Sequence, residues 1–119
     1  MKKQRKTRGP GRRAIVVLVT AASERQAVQI GRALVGAKLA ACVNIVRGIR
    51  SIYRWEGKIV EDREVLLIVK SRAELFGRLA QEVKRLHSYQ VPEVIALPIA
   101  HGALDYLAWV MKSTHKSLK

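Results

Sequence analysis

The chain has 119 residues, 49% of them hydrophobic, so it is long enough for one folded domain and too apolar for an intrinsically disordered protein. Its apolar runs are far shorter than the roughly 20 residues of a transmembrane helix. A single cysteine, Cys42, excludes an intramolecular disulfide bond. Because a free cysteine is typical of a reducing compartment, we expect a cytoplasmic protein.

The net charge of +14 is concentrated at the two ends of the chain. Residues 1–13 contain seven basic residues and no acidic one, and residues 111–119 contain three basic residues and no acidic one. The sequence therefore predicts a flexible basic tail over residues 1–13, a domain over 14–113 and a C-terminal tail over 114–119. Non-specific association of RNA with the first tail is an alternative hypothesis for function, because basic runs attract nucleic acid.

The first half of the domain predicts a strand, a helix and a long hairpin. The β-branched run Ala14–Val19 is typical of a strand buried on both faces. A Ser-x-x-Gln capping box at Ser23 predicts the start of a helix. Two extended segments follow, Leu39–Arg54 and Lys58–Lys70, and Gly57 predicts a hairpin turn between them.

The second half predicts a helix, an edge strand and a last helix. Ser71 and Glu74 match a second capping box before an amphipathic helix. Val91–Ala100 is predicted as a strand, and its prolines indicate an edge, a strand start or a bulge. Ala103–Ser113 is predicted as a short final helix.

The predicted order β-α-β-β-α-β-α is typical of an α+β, ferredoxin-like βαββαβ fold with an extra C-terminal helix. Two helices cover one face of such a four-stranded sheet. Val65–Val69 places apolar side chains on both faces, and the hairpin near residues 47–64 is longer than a small sheet needs. We therefore expect the other face to pack on another subunit. The third strand, Glu64–Lys70, has no aromatic residue to stack on bases, which argues against an RNA-recognition motif.

Several segments resemble one family, the CutA divalent-cation tolerance proteins. The similar segments span residues 14–112 in the family's order and are Ala40–Ile45, Ser51–Ile59, Glu64–Lys70, Leu86–Glu93, Ile95–Ile99 and Tyr106–Trp109. Ser88 stands where the family usually has proline, and Gln90 stands where it often has glutamate. The first difference loosens the turn before Tyr89, and the second removes a carboxylate from any cation site there.

The resemblance implies a homotrimer whose sheets join across subunits, an architecture like that of the PII signalling proteins, and a response to, or binding of, divalent metals such as copper. The candidate metal ligands for copper or zinc are His87, Cys42 and Glu93. Two alternatives stay open: His87 as a hydrogen-bonded structural residue, and Cys42 as a small core residue. No other cofactor is expected.

A ligand pocket between subunits is the second candidate site. Its expected residues are Tyr53, Trp55, Lys70, His87, Tyr89 and Glu93. The same set supports an alternative hypothesis, a small acid–base enzyme that uses His87 and Glu93. Because no nucleophile motif or phosphate-binding glycine loop accompanies these residues, we expect a protein that is not an enzyme.

Overall fold

Four strands and three α-helices follow one another in the order β-α-β-β-α-β-α along residues 13–115, the part of the chain that the computed structural model describes. The strands are β1 (Ala14–Ala21), β2 (Cys42–Trp55), β3 (Lys58–Arg72) and β4 (Val94–Pro98). The helices are α1 (Glu24–Gly36), α2 (Phe76–Leu86) and α3 (Leu104–Lys112). The antiparallel sheet has the order β2-β3-β1-β4. This confirms the predicted ferredoxin-like fold with its additional helix.

The core lies between one sheet face and the two longer helices. Alternate residues of β1 and β3 point to these helices, because successive strand residues face opposite sides. The fully buried side chains include Val17, Val19, Leu67 and Val69 from the strands, and Ile30, Leu34, Leu79 and Val83 from the helices. Ser23 caps α1 as predicted, since its hydroxyl oxygen accepts a hydrogen bond from the backbone N–H of Gln26 at 3.1 Å.

The capping box predicted at Ser71 is wrong. Ser71 lies inside β3, and its buried hydroxyl donates a hydrogen bond to the backbone carbonyl of Leu39 at 2.6 Å. A 3-10 turn, Ala73–Leu75, leads into α2 instead, with no side-chain cap among the described residues. The sheet therefore extends two residues further than the sequence pattern indicates.

Replacement of Ser71 with alanine should destabilise the protein by about 1–3 kcal/mol, because the buried carbonyl of Leu39 loses its donor. Chemical denaturation of both proteins measures this difference. A Ser71→Ala protein as stable as the unmodified one would contradict the assignment.

Strand β4 is shorter than predicted. It covers only Val94–Pro98, and its partners in β1 run from Ile15 to Val19. The preceding residues 91–93 form a loop, since Pro92 fixes its own backbone and restricts the residue before it. The strand lies at the sheet edge, where proline is tolerated, so the predicted edge position is confirmed.

The β2–β3 hairpin projects beyond the rest of the sheet. Residues 58–64 of β3 pair with β2 alone, because β1 pairs only from Val65 onward. We call this projecting segment, residues 49–64, the arm. At its tip Glu56 and Gly57 both have positive φ angles, +51° and +80°, as in the two-residue turns that suit twisted hairpins. The arm makes the molecule 54 Å long and 22 Å thick.

The sheet face opposite α1 and α2 is apolar and only partly covered, and we call it the open face. Register places Leu18, Ile68 and Ile95 side by side on it, with Leu66 and Leu97 adjacent. Helix α3 lies at one end of β3, where Arg72 binds its C-terminal turn.

Thr114 is fully buried against Arg72, so packing continues one residue past the predicted boundary at 113. The remaining residues of the predicted tails, 1–12 and 116–119, lie outside the described residues. Between residues 13 and 115, none of the helices combines the length and the hydrophobicity needed to span a bilayer.

Candidate functional site

A cavity of about 300 Å³ lies where the arm meets the loop before β4. Its lining residues are Thr20, Tyr53, Trp55, Glu64, Tyr89, Gln90, Val91 and Glu93. Four of the predicted pocket residues, Tyr53, Trp55, Tyr89 and Glu93, therefore lie together. Tyr53 and Trp55 share one face of β2 because they are two residues apart in a strand.

A larger groove, of about 1130 Å³, lies at the other end of the sheet beside α3. Its charged lining residues are Arg13, Arg72 and Glu74. Because Arg72 is already bonded to Glu74 and to the end of α3, these charged groups are not available to bind a ligand in the groove. The smaller cavity is therefore the better candidate site.

Tyr89 and Glu64 form the inner wall of the cavity. The Tyr89 hydroxyl donates a hydrogen bond to Oε2 of Glu64 at 2.6 Å. Glu64 is only 7% exposed. Burial raises the pKa of Tyr89 well above its usual value, and the hydrogen bond to the Glu64 carboxylate adds to this shift. The phenol is therefore neutral at any physiological pH.

Tyr53 and Asp62 form a second phenol–carboxylate pair on the arm. The Tyr53 hydroxyl donates to Oδ2 of Asp62, which follows Glu61 on β3 and shares a face with Glu64. This hydrogen bond is the main reason why the pKa of Tyr53 is raised above 10.0. Both hydroxyls are thus occupied by carboxylates.

His87 fixes the loop that carries Tyr89. Its Nδ1 accepts a hydrogen bond from the backbone N–H of Tyr89 at 3.1 Å, so its Nε2 carries the proton and donates to the Thr20 carbonyl at 2.6 Å. The imidazole also contacts the Tyr89 ring, with centroids 4.6 Å apart. Because both nitrogens are occupied, His87 is a positioning residue beside the cavity and has no free lone pair for a metal.

Cys42 and Lys70 lie in a different part of the sheet. They are paired across β2 and β3, and the Lys70 ammonium donates to Asn44. The β1 partner of Lys70 is Val16, four residues along the strand from Thr20, which lines the cavity. Over residues 13–115, no three His, Cys, Asp or Glu side chains come close enough to hold one metal ion. Within this part of the chain, His87, Cys42 and Glu93 are therefore not brought together as one ligand group.

Glu64 is the site residue that the sequence reasoning missed. It precedes an apolar run, and its alternation with Leu66 and Ile68 places it on the open face. That alternation is visible in the sequence. Its burial is not, because burial depends on the Tyr89 loop, which is distant along the chain.

The two raised tyrosine pKa values predict a loss of stability at alkaline pH. The folded state holds both phenolic protons more tightly than the unfolded chain, whose pKa is near 10.0. The stabilisation is therefore complete below pH 10 and is lost as the pH rises above it. We expect the free energy of unfolding to fall less steeply above that pH in a Tyr89→Phe protein, and parallel curves would contradict this.

Sequence relatives agree in their description. A model of the family described as "CutA1 divalent ion tolerance protein" matches residues 15–113. The divalent-cation tolerance protein CutA of Thermus thermophilus is 54% identical over 99 residues, which are 83% of this chain and 96% of that protein. The human protein CutA is 48% identical over 96 residues, which are 81% of this chain but only 54% of that protein. These relatives favour neither the RNA-associated nor the enzyme hypothesis.

Solved structures show the same fold. The divalent cation tolerance protein of Thermus thermophilus superposes with a TM-score of 0.84 at 53% identity, covering 86% of this chain and 99% of that one. CutA1 from Oryza sativa superposes with a TM-score of 0.86 at 48% identity, covering 92% of this chain and 100% of that one. Motifs, fold and relatives agree, and this chain therefore belongs to the CutA1 divalent ion tolerance protein family.

Proposed function

We propose that this chain acts as a homotrimeric, non-catalytic binding protein in divalent-cation tolerance, with a PII-like arrangement in which the cavity lies between subunits. The observation that carries the proposal is the exposure of Tyr53 and Trp55 on one wall of the cavity. A second subunit placed against the arm encloses this wall and leaves both rings facing the cavity between the subunits. Small-molecule sites are common at such interfaces.

Two further surfaces support self-association. On the open face, Val46, Ile95 and Leu97 are exposed although they belong to strands. On the opposite face of the arm, Ile52 and Ile59 are exposed as well. Exposed apolar patches of this kind mark interaction surfaces in soluble proteins. A closed ring of identical subunits covers all of them without leaving a free edge.

Copper or zinc binding at His87, Cys42 and Glu93 stays a prediction. Zinc and copper sites need several nitrogen or sulfur ligands. The nitrogens of His87 are both hydrogen-bonded, and Cys42 is distant from Glu93, which lines the cavity. Any such site requires ligands from more than one subunit. Cys42 is a free thiol, which supports a cytoplasmic location.

Isothermal titration calorimetry with Cu(II) and Zn(II) tests this proposal. We expect fewer than one bound metal ion per chain, because His87 and Cys42 lie in different parts of the sheet and cannot form a site within one subunit. The matched control is His101→Ala, which removes an exposed histidine elsewhere. Uptake of one metal ion per chain that is lost in both His87→Ala and Cys42→Ser and kept in the control would contradict a site shared between subunits.

A further inference from the structure

The cavity is acidic although the chain is strongly basic. Two carboxylates, Glu64 and Glu93, line it, and Asp62 lies next to it on the arm. No Lys, Arg or His is among the described lining residues. The net charge of the whole chain is +14. The negative charge of this cavity therefore favours the binding of a cation, although the chain as a whole is positively charged.

Among residues 13–115, Glu64 has no cationic partner. The residue is more than nine-tenths buried, and Oε2 of its carboxylate accepts a hydrogen bond from the Tyr89 hydroxyl. In the part of the chain that the structure describes, Oε1 accepts no hydrogen bond and Glu64 joins no ion pair. Carboxylates are rarely buried in this way unless a cation compensates the loss of hydration. We therefore expect a bound cation inside the cavity, where it would compensate the negative charge of Glu64.

Three aromatic side chains complete the walls. Tyr53 and Trp55 come from the arm, and Tyr89 comes from the loop. The faces of Trp and Tyr rings attract cations, and Trp does so most strongly. The hydroxyls of both tyrosines donate to carboxylates, which orients their rings. Aromatic rings around a carboxylate favour an organic cation, because its alkyl groups can pack against the rings.

We propose that this cavity binds the head group of a small organic ammonium compound, with its charge against Glu64 and its alkyl groups against Trp55 and the two tyrosine rings. The inference rests on the proposed function, because it uses the same cavity. A bare metal ion suits the walls poorly. Calcium needs six to eight oxygen ligands, and aromatic carbons supply none. The volume of about 300 Å³ matches a small ligand.

Fluorescence of Trp55 provides the test. In a Trp109→Phe background Trp55 is the only tryptophan, since the chain contains two. The probe is choline, and the matched ligand is its uncharged isostere, in which a tert-butyl group replaces the trimethylammonium group. We expect saturable quenching by choline and at least about tenfold weaker binding of the isostere.

Two variants locate the effect. Glu64→Gln keeps a hydrogen-bond acceptor for Tyr89 and should weaken choline binding about tenfold, without changing the response to the isostere. Glu61→Gln is the control, because Glu61 lies on the other face of the arm and pairs with Arg50. Calorimetry provides a second measurement. In a Trp55→Leu protein it should show a similar weakening of choline binding.

Four results would overturn this inference. They are no binding of choline, equal binding of choline and its isostere, unchanged choline binding in Glu64→Gln, and a Zn(II) response that depends on Glu64 and exceeds that of choline. The native mass of the same samples separates this inference from the proposed function. An intact trimer that does not bind choline contradicts the inference alone. A monomer that still binds choline through Glu64 contradicts the proposed assembly alone.

Discussion

Replacement of Ile95 and Leu97 by aspartate is expected to abolish the trimer and leave monomers or unfolded chains. The two side chains are 50% and 51% exposed in the single chain, and both point to the open face from the edge strand β4. In the proposed trimer a neighbouring subunit covers them. Each buried, unpaired carboxylate then costs several kcal/mol, on the order of the whole stability of a small domain.

Sedimentation velocity at matched protein concentrations measures this effect. The control is Val35→Asp, which places the same charge at a side chain that is 43% exposed on α1, away from the open face. We expect the control to sediment like the unmodified protein. A double variant with an unchanged sedimentation coefficient would show that the open face is not an interface.

The second large effect is expected at Arg72, which holds the end of α3 on the sheet. Its Nε donates to the Thr114 hydroxyl oxygen at 3.1 Å, and one terminal nitrogen donates to the backbone carbonyls of Met111 and Thr114. The guanidinium thus satisfies carbonyls that the helix itself leaves without donors. Replacement by methionine keeps much of the volume and should lower the free energy of unfolding by about 2–4 kcal/mol.

Urea unfolding at one fixed protein concentration tests the role of Arg72, because the stability of an oligomer depends on concentration. Arg85→Met is the matched control. Arg85 forms an exposed ion pair with Glu82 on α2, and such pairs contribute about 0–1 kcal/mol. Equal small effects of the two substitutions would mean that Arg72 does not anchor α3.

The elements that local pattern determines could be predicted from the sequence. The β-branched run of β1 and the Ser23 cap depend on residues near in the chain, and the structure has both where expected. Gly57 also lies in the turn as predicted, because a positive φ angle is a local requirement. The order of these elements was then enough to indicate the ferredoxin-like sheet.

Features that depend on distant contacts could not be predicted. Ser71 matches a capping box, but its hydroxyl bonds Leu39, which is 32 residues earlier in the chain. Four of the expected pocket residues, Tyr53, Trp55, Tyr89 and Glu93, line one cavity, and their role in binding a ligand stays a prediction. Lys70 was grouped with them although the strand register places it elsewhere. Glu64 was missed because its burial requires the Tyr89 loop.

The mass of the unmodified protein under native conditions tests the central claim most directly, since the proposed site is complete only between subunits. Native mass spectrometry over a dilution series should give three times the chain mass of 13.3 kDa. Dissociation should coincide with unfolding, because apolar side chains of the open face and the arm are exposed within residues 13–115 of the single chain. A folded monomer that persists at every concentration would contradict the account.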